Sequence, residues 1–291
     1  MQNKTVFIIL CILLVFLILL YTYILYDPNN ELYSFVKENQ IIKHSYIRSR
    51  EHIPTPIVPL KLFQTWHTKN LPPKMQEATE RIQKSNPELE YCFFDESDCV
   101  DFIQTHFSDE VVNAFHTLLP GAYKADLWRY CVMYIHGGVY LDIKYQCVDG
   151  FKLIDIMDKE HFVLERPHFW EPDSYGIYNA LIIAKPNNPI FFKCIQRIVK
   201  NVQYRYYGYN SLYPTGPGLL GELYFGNINK NVKQIHHFDL FFNMIDNHDV
   251  IIYKNQIILQ SYPEYRKEQK LNETYKHYTV SWYQKSIYWN T

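Results

Sequence analysis

The sequence predicts an α/β fold in which helices cover both faces of a sheet. After residue 60, short apolar runs alternate with longer segments of helical periodicity, which is the pattern of a sheet with helical connections. The chain has 291 residues, of which 47% are hydrophobic, and this is enough to bury one large core. The sequence contains no internal repeat and no low-complexity tract after residue 55. One globular domain therefore accounts for the pattern.

The predicted strands are short apolar or alternating runs bounded by turn residues. Leu60–Trp66 is followed by the breaker Leu71-Pro72-Pro73. In Val139–Lys144 the apolar and polar side chains alternate, so that they point to opposite faces of a sheet. The other predicted strands are Leu89–Asp95, Phe162–Glu165, Ala180–Ala184 and a hairpin over Val250–Tyr262 that turns at Lys254-Asn255.

The predicted helices are longer segments that end at helix-breaking residues. Lys74–Lys84 ends before Asn86-Pro87, and Ala122–His136, the longest, ends at Gly137-Gly138. Ser97 is expected to cap a helix that extends to about His106. The remaining predicted helices are Ser108–Leu118, Pro189–Val202 and Gly218–Tyr224.

The N-terminal segment is predicted to anchor the chain in a membrane. Residues Val6 to Tyr26 contain no charge, and at about 1.5 Å per residue such a helix spans a hydrocarbon core of roughly 30 Å. Lys4 precedes this run and acidic residues follow it, which favours a cytosolic N-terminus and a lumenal domain in a Golgi-like, ER-like or equivalent host membrane. A cleaved signal peptide is the alternative. The predicted organisation is a cytosolic tail (1–5), a transmembrane signal-anchor (6–26), a stem (27–55) and a globular domain (56–291).

Charge and composition exclude several classes of protein. The formal net charge of −1 provides no basic face for nucleic acid. The 18 Phe, 26 Tyr and 5 Trp exclude a chain that is disordered as a whole. Six Cys at this length do not form a disulfide scaffold. Cys92 and Cys99 flank a strand-to-helix turn and would pair only in an oxidising lumen, and the sequence leaves this pairing open.

The longest predicted helix contains the first part of a candidate site. Asp126 and Arg129 are three residues apart and therefore lie on one face. On an exposed helix such a pair contributes only about 0.3–0.5 kcal/mol. The apolar residues around it indicate instead a helix that is buried over much of its circumference. A buried charged pair needs further partners, and a polyhydroxylated ligand would supply them.

The segment after this helix contains the second part of the candidate site. Gly137 and Gly138 end the helix, the first in a left-handed conformation that glycine tolerates. The strand that follows places Asp142 at its carboxyl end. Ligands bind at that edge in open α/β sheets, although a strand-end aspartate that faces water is the alternative. The spacing from Asp126 and Arg129 to Asp142 makes the group specific.

Five short motifs in this order resemble glycosyltransferase family 32. This is a group of DXD-containing sugar transferases that includes fungal α-mannosyltransferases, inositol-phosphoceramide mannosyltransferases and bacterial capsular polysaccharide enzymes. The resemblance covers most of Leu60 to Tyr283. The motifs are Gln64-Thr65-Trp66, Ala125-Asp126-x-x-Arg129-Tyr130, Gly137-Gly138-x-Tyr140-x-Asp142, Thr215-Gly216-Pro217-Gly218, and His277 with Ser281-Trp282.

The resemblance implies a GT-A fold and retaining transfer from a nucleoside-diphosphate sugar. It implies that Trp66 stacks on the nucleotide base, and that Asp126 and Arg129 hydrogen-bond to the donor sugar, with Arg129 also near the diphosphate. Asp142, as the first acid of the DXD motif, would contact the ribose or a metal ion. The resemblance further assigns closure over the diphosphate to His277 with Ser281 or Trp282, and substrate binding to Gln64, Tyr130, Gly216 and Gly218.

The chain departs from the DXD motif at the second acid, because it contains Asp142-Ile143-Lys144. An ammonium group does not coordinate Mn²⁺ or Mg²⁺. Three outcomes stay open. Lys144 neutralises the diphosphate as a point charge without a metal; or Asp142 and His277 hold the metal together with the diphosphate, helped by Asp149 or another carboxylate; or the protein binds the donor without turning it over.

Other candidate residues receive structural interpretations. His236-His237-Phe238-Asp239, with Asp246, His248 and Asp249 nearby, could suggest a metal site, but adjacent histidines on a strand point to opposite faces. A structural or surface role is therefore expected, and His161 and His168 are assigned no role. The aromatic segment Tyr204 to Tyr213 is expected to pack in the core, with contact to an acceptor sugar as the alternative.

We therefore predict a membrane-anchored retaining glycosyltransferase that moves a hexose to a glycan or glycolipid acceptor. By family resemblance GDP-mannose is the first expectation for the donor, and UDP-galactose or UDP-N-acetylglucosamine are alternatives, since no residue discriminates the base. A catalytically inactive protein that binds sugar nucleotides or glycans is the rival hypothesis, motivated by Lys144. A metal-dependent phosphodiesterase lacks the clustered carboxylates that two-metal hydrolysis needs.

Overall fold

The computed structural model describes residues 12–17, 31–43, 45–46, 55–148, 150–166, 176–226, 237–271 and 274–289. The chain divides into two compact units, Met1–Glu38 and Asn39–Thr291. In the first unit, residues 12–17 are helical and their apolar side chains are exposed. The rest of the predicted membrane segment 6–26 lies outside the described residues. Within the described part of the chain, no helix is both long enough and apolar enough to cross a bilayer.

Part of the predicted stem belongs to the second unit. The side chain of Gln40 donates to the carbonyl of Phe242 at 2.8 Å, and the hydroxyl of Tyr46 donates to Asp155 at 3.0 Å. The side chain of Asn255 also donates to the carbonyl of Ile41 at 2.9 Å, and the backbone carbonyl of Asn255 accepts from the backbone of Lys43 at 3.1 Å. This part of the chain therefore hydrogen-bonds to the globular domain at several points.

The second unit is built on a nine-stranded mixed sheet, which confirms the predicted α/β class. The strand order is β2-β1-β3-β6-β5-β7-β8-β9-β4. β1 is parallel to β2 and to β3, β5 is parallel to β7, and the other neighbours are antiparallel. The strands are β1 (Lys61–Thr65), β2 (Glu90–Phe94), β3 (Gly138–Leu141), β4 (Tyr145–Cys147), β5 (His161–Leu164), β6 (Ile177–Ala184), β7 (Leu240–Ile245), β8 (His248–Tyr253) and β9 (Gln256–Ser261).

Helices lie between β1 and β2, between β2 and β3, between β4 and β5, and between β6 and β7. A short 3₁₀ helix, Leu153–Ile156, follows β4. The α-helices are α1 (Glu31–Asn39), α2 (Pro73–Ser85), α3 (Glu96–His106), α4 (Asp109–Thr117), α5 (Gly121–His136), α6 (Pro189–Gln203), α7 (Pro217–Phe225), α8 (Tyr265–Leu271) and α9 (Tyr278–Tyr283).

Helices lie on both faces of the sheet, as the sequence predicts. Successive strand side chains point to opposite faces. In β1, Leu62 belongs to a buried cluster that includes Ile82 of α2, whereas the next ring, Phe63, stacks on His136 of α5 at 5.8 Å between ring centroids. In β3, Tyr140 likewise contacts Trp128 of α5. The helix with the predicted acid and guanidinium therefore packs on the face opposite α2.

The turn between α5 and β3 depends on two glycines with positive φ angles. Gly137 has φ 60° and Gly138 has φ 97°, so neither adopts a conformation that other residues take readily. A Cβ atom on Gly137 would lie 2.5 Å from the backbone nitrogen of Pro186, and one on Gly138 would lie 2.8 Å from the carbonyl oxygen of Lys61. Close packing against neighbouring backbone, as well as the turn itself, requires glycine here.

Several local predictions are wrong in detail. The cap of α3 is Asp95 rather than Ser97: its side chain accepts from the backbone of Asp98, whose side chain accepts from Asp95 in return, which forms a capping box. The strand predicted to reach Lys144 ends at Leu141, because the carbonyl of Asp142 accepts from the backbone of Tyr145 in a turn. Asp142 therefore follows the strand directly, in a loop.

The predicted hairpin at Lys254-Asn255 is present and is extended by a second hairpin that the sequence analysis missed. β7 and β8 turn at Asp246-Asn247, and β8 and β9 turn at Lys254-Asn255, with positive φ at all four turn residues. The missed strand β7 begins at Leu240, where the sequence analysis considered only the histidine pair before it.

Candidate active site

Three charged side chains meet where α5 faces the end of β3. The guanidinium of Arg129 lies 3.2 Å from the carboxylate of Asp126 and 3.2 Å from that of Asp142, and it donates to the carbonyl of Asn179 at 2.7 Å. Its plane also lies over the ring of Tyr140, with 4.4 Å to the centroid. Arg129 is thus the centre of the cluster and connects the helix to the strand end.

Asp126 is almost as buried as Arg129. Its carboxylate accepts from the amide of Asn179 at 2.9 Å and from the hydroxyl of Thr215 at 2.7 Å, in addition to its contact with Arg129. Buried charges require partners of this kind. Thr215 belongs to the Thr215-Gly216-Pro217-Gly218 motif, so two motifs that are 89 residues apart join through this hydrogen bond.

Burial and charge act on these groups in opposite directions. Burial raises the pKa of Asp126, while Arg129, Thr215 and Asn179 lower it. Burial also works against the charge on Arg129, but Tyr140, Asp126 and Asp142 raise the pKa of the guanidinium above its usual range. Arg129 is therefore a permanent cation at the centre of the cluster.

Two cavities meet at this cluster. The larger cavity has a volume of about 770 Å³ and the smaller one about 580 Å³, both in the range typical of small-molecule sites. Arg129, Asp142 and Arg266 line both cavities. The side chain of Asp142 is 26% exposed, whereas those of Asp126 and Arg129 are nearly buried. Of the two carboxylates, that of Asp142 is therefore the more accessible.

The wall of the larger cavity combines an aromatic side chain with several cations. Trp66 lines it from the end of β1, where it packs against a small apolar cluster that includes Met75 and Tyr265. Cations line another part of the wall, from α8 and the segment after it: Arg266, Lys270 and Lys276. The cavity thus offers an aromatic face together with positive charge.

Lys144 does not lie in the wall of either cavity. Its ammonium group is 9% exposed and lies 2.6 Å from the carboxylate of Asp249 on β8, against 4.0 Å from that of Asp142. Asp249 also accepts two hydrogen bonds from Arg266, at 2.9 and 3.1 Å. Although burial opposes ionisation, Lys144 and Arg266 hold the pKa of Asp249 below its usual range. The direct contact of Lys144 with diphosphate that the sequence analysis considered does not fit this buried position.

A divalent metal is implied by the DXD resemblance, and the donor groups present do not fit one. One oxygen of Asp142 accepts from Arg129 and from the hydroxyl of Tyr140 (2.9 Å), and the second acid of the motif is Lys144. His277 lines the larger cavity, but its Nδ1 accepts from the backbone of Thr279, so in the neutral ring Nε2 holds the proton. In the described ranges, no group of three or more His, Cys, Asp or Glu side chains is arranged to hold a metal. Asp149 lies outside them.

The other predicted site residues divide between the cavity wall and the layer behind it. Gln64 is buried; its amide donates to the carbonyl of Asp142 at 3.4 Å, and its oxygen accepts from the hydroxyl of Tyr91. Tyr130 is also buried, and its hydroxyl accepts from Asn179. Gln64 and Tyr130 line neither cavity, so direct contact with a substrate does not fit their positions.

The residues of the two C-terminal motifs also lie partly in a cavity wall and partly behind it. Gly216 lines the smaller cavity, where a Cβ atom would lie 3.2 Å from the carboxylate of Asp126. Gly218 packs against the ring of Tyr213 instead. The indole of Trp282 donates to the carbonyl of Tyr207 at 2.6 Å and lines neither cavity. Of the His277 motif, His277 and the adjacent Tyr278 are in the cavity wall.

The expectation of core packing for the aromatic segment is wrong for three of its tyrosines. Tyr204 and Tyr209 are 80% and 75% exposed, and Tyr206 is also exposed. Asn210 lines the smaller cavity next to them. The segment follows the end of α6 and crosses the surface, so its alternating tyrosines have no sheet or helix to pack into.

The histidine and cysteine candidates have structural surroundings. His237 precedes β7, and His236 and His168 lie outside the described residues. His248 contacts the carbonyl of Ser261 through its ring, and burial lowers the pKa of His161 to about 4. The thiols of Cys92 and Cys99 are free, so the two residues are not paired.

Several residues of the site were not predicted from the sequence, among them Asn179, Glu165, Arg266 and Tyr278. Glu165 follows β5 directly and lines the smaller cavity, where its carboxylate accepts from the backbone of Arg166. Burial raises the pKa of Glu165 to about 7. A strand-end carboxylate was the only sequence signal for any of them, and it applied to Glu165 alone.

The raised pKa of Glu165 predicts a pH-dependent stability. An acid that holds its proton more tightly when folded stabilises the fold fully below pH 4.5 and loses that contribution as the pH rises to about 7. The loss amounts to about 3 kcal/mol. We expect Glu165→Gln to be more stable than the wild type at pH 8 and much closer to it at pH 5, as measured by urea unfolding. An equal difference at both values would contradict a buried, titrating Glu165.

The central part of the chain is similar to a known protein family. Residues 72–163 match a family described as "Glycosyltransferase sugar-binding region containing DXD motif". The match contains Asp126, Arg129 and Asp142, while Trp66 and the motifs after residue 200 lie outside it. This match confirms, for the central part of the chain, the resemblance stated from the sequence.

Several characterised proteins are similar to the chain over its central part. "Inositol phosphoceramide mannosyltransferase 1" of Schizosaccharomyces pombe is 25% identical over 162 residues, which are 54% of this chain and 47% of that protein. "Initiation-specific alpha-1,6-mannosyltransferase" of Candida albicans is 26% identical over 91 residues, 29% of this chain and 24% of that protein. Among solved structures, "PaToxG Glycosyltransferase" aligns with a TM-score of 0.45 at 18% identity, over 63% of this chain and 74% of that one. The chain spans less than half the length of these two mannosyltransferases.

Proposed function

We propose that the chain transfers a hexose from a nucleoside-diphosphate sugar to a glycan or glycolipid acceptor, because residues 72–163 match a glycosyltransferase sugar-binding family. One observation supports this most strongly. Arg129 and Asp142, both inside the matched region, share a cavity wall with an aromatic side chain and with a row of cations. A sugar nucleotide combines the three chemistries that such a wall fits: a flat base, a polyanion and a polyol.

We propose roles for the residues of the wall from their surroundings. Trp66 stacks on the nucleotide base, and Asp142 accepts hydrogen bonds from donor hydroxyls. Arg129 has most of its donors occupied by Asp126, Asn179 and Asp142, so it chiefly orients Asp142. Asp126 in turn fixes Arg129 and the Thr215 motif. Asp126 and Arg129 are thus positioning residues whose exposed edges complete the sugar site.

The proposed reaction is a transfer with retention, within a GT-A fold. The bond between C1 of the hexose and the phosphate oxygen breaks, and its electron pair stays on that oxygen. The acceptor oxygen forms its bond to C1 on the same face, and its proton passes to the departing phosphate. The enzyme must stabilise the negative charge that develops on the diphosphate, which fixed cations accomplish without reorganisation.

The donor and acceptor classes are proposed from the relatives' names. Mannosyltransferases among them favour mannose from GDP-mannose, with UDP-sugars as the alternative, because no described residue discriminates the base. The name inositol phosphoceramide mannosyltransferase favours a lipid acceptor. A glycolipid acceptor fits the proposed anchor over residues 6–26, which would hold the domain at the lumenal face of a membrane. The exposed tyrosines beside the smaller cavity are suited to stack on acceptor sugars.

A nucleotide screen followed by an activity assay tests this function. We expect GDP or UDP, but not CMP, to raise the melting temperature of the purified full chain. The matching diphosphate sugar is then hydrolysed, and Asp142→Asn lowers the rate by about 100-fold, because it removes the accessible charge at the sugar. Asp101→Asn on the exposed face of α3 is the matched control and keeps the wild-type rate.

Two results would decide against this function. If no nucleoside diphosphate changes the melting temperature, the cavity is not a donor site. If a diphosphate binds but no sugar nucleotide is ever hydrolysed or transferred, the rival hypothesis of an inactive binding protein is correct.

A further inference from the structure

Lys144, which occupies the position of the second acid of the DXD motif, belongs to a larger arrangement of charges. Lys144 lies against Asp249, and Asp249 also holds the guanidinium of Arg266. One buried carboxylate therefore fixes two cations, one behind the cavity wall and one in it. The arrangement ties α8, which contains Arg266, to the loop of Asp142.

Arg266 is the cation that this arrangement presents to ligands. Its side chain is 48% exposed and lines both cavities beside Asp142. One end of the guanidinium is held by Asp249, and Nη1 donates to Gln269 only at 3.4 Å. A guanidinium has five donors in a planar fork suited to phosphate oxygens. Arg266 is therefore oriented from behind and retains capacity toward the cavity.

Two lysines extend the positive wall of the larger cavity. Lys270 lies four residues after Arg266 on α8, and such residues share one helix face. Lys276 lines the same cavity and contacts Gln284 at 3.4 Å. The cavity wall contains five lysine or arginine side chains and two carboxylates, Glu96 and Asp142. Glu96 is paired with Lys124, and Asp142 shares the charge of Arg129 with Asp126, so Arg266, Lys270 and Lys276 give the wall an excess of positive charge.

We propose that Arg266, Lys270 and Lys276 bind the donor diphosphate in place of a divalent metal. The inference rests on the proposed function and specifies how its charge requirement is met. The departing diphosphate carries negative charge, and three cations in one cavity wall would neutralise it. A metal ion has one ligand fewer here, because Lys144 stands at the position of the second acid of the DXD motif. Binding of the nucleoside diphosphate is therefore independent of Mn²⁺ and Mg²⁺ and sensitive to ionic strength.

Calorimetric titration of GDP and UDP into the full chain tests the inference, in EDTA and in Mn²⁺. We expect the Kd of the nucleotide that binds to differ by less than about threefold between the two buffers. Arg266→Gln and Lys270→Gln each weaken binding by about tenfold, the effect of one charge-assisted contact. Lys267→Gln, on the same helix but outside the cavity wall, leaves the Kd unchanged.

The possible results distinguish a failure of this inference from a failure of the proposed function. Binding that disappears in EDTA and returns with Mn²⁺ overturns the inference and leaves the glycosyltransferase assignment standing. Equal Kd values for Lys267→Gln and Lys270→Gln also overturn it. If Arg266→Gln unfolds because Asp249 loses a partner, the Kd values of Lys270→Gln and Lys276→Gln provide the same test, because neither lysine is paired with Asp249. Absence of binding by either nucleotide in both buffers overturns the proposed function as well.

Discussion

Replacement of Arg129 by methionine is expected to destabilise the folded chain by about 3–5 kcal/mol. The guanidinium is buried among Asp126, Asp142 and the carbonyl of Asn179, and methionine leaves those acceptors without a cation. The effect is expected to be larger at Asp126 than at Asp142, because the side chain of Asp126 is only 8% exposed and that of Asp142 is 26% exposed. Urea unfolding of the full chain, followed by tryptophan fluorescence, measures the difference.

Two further variants show whether the effect comes from the buried charge. Arg197→Met removes a cation from an exposed pair with Glu222 at 2.8 Å and is expected to cost less than about 1 kcal/mol. Asp126→Asn combined with Arg129→Met should recover part of the loss, because the carboxylate left without its cation is then only that of the partly exposed Asp142. If Arg129→Met costs no more than Arg197→Met, the cluster is not a buried charge network.

Replacement of Gly137 by alanine is expected to cost about 3 kcal/mol or more, from positive φ and overpacking together. The new Cβ atom would lie 2.5 Å from the nitrogen of Pro186 and 2.7 Å from the carbonyl oxygen of Ala184. Both are backbone atoms, so no side-chain rotation relieves the contact. The turn would have to shift, and with it the distance between Arg129 on α5 and Asp142 after β3.

Gly150→Ala is the matched control for this variant. Gly150 also has a positive φ, 84°, but a Cβ atom there meets nothing within 4 Å. Its cost is therefore limited to the backbone conformation, about 1–2 kcal/mol. Equal unfolding free energies for the two variants would show that the close approach at Gly137 does not matter, and donor hydrolysis in Gly137→Ala should fall further than its stability alone explains.

The helix-glycine-glycine-strand segment could be predicted from the sequence because its determinants are local. Gly137 and Gly138 end α5 within the same few residues that begin β3, and strand alternation then fixes where Asp142 lies. The helix face shared by Asp126 and Arg129 follows from helical geometry alone. These residues therefore meet in the structure as the spacing predicts.

The partners of these residues could not be predicted, because they come from distant parts of the chain. Thr215 and Asn179 reach Asp126 only after the sheet order is set. Lys144 shows the consequence: its chemistry suggested a phosphate contact, but Asp249, 105 residues later, holds it in the protein interior. The cavity wall instead contains Arg266, around which the sequence shows no recognisable motif.

A crystal structure of the full chain with its sugar nucleotide tests the central claim most directly. The account predicts the base on Trp66, the hexose within hydrogen-bond distance of Asp142 and the diphosphate beside Arg266. A sugar nucleotide bound elsewhere, or bound here with its hexose turned away from Asp142 and Arg129, would contradict the account.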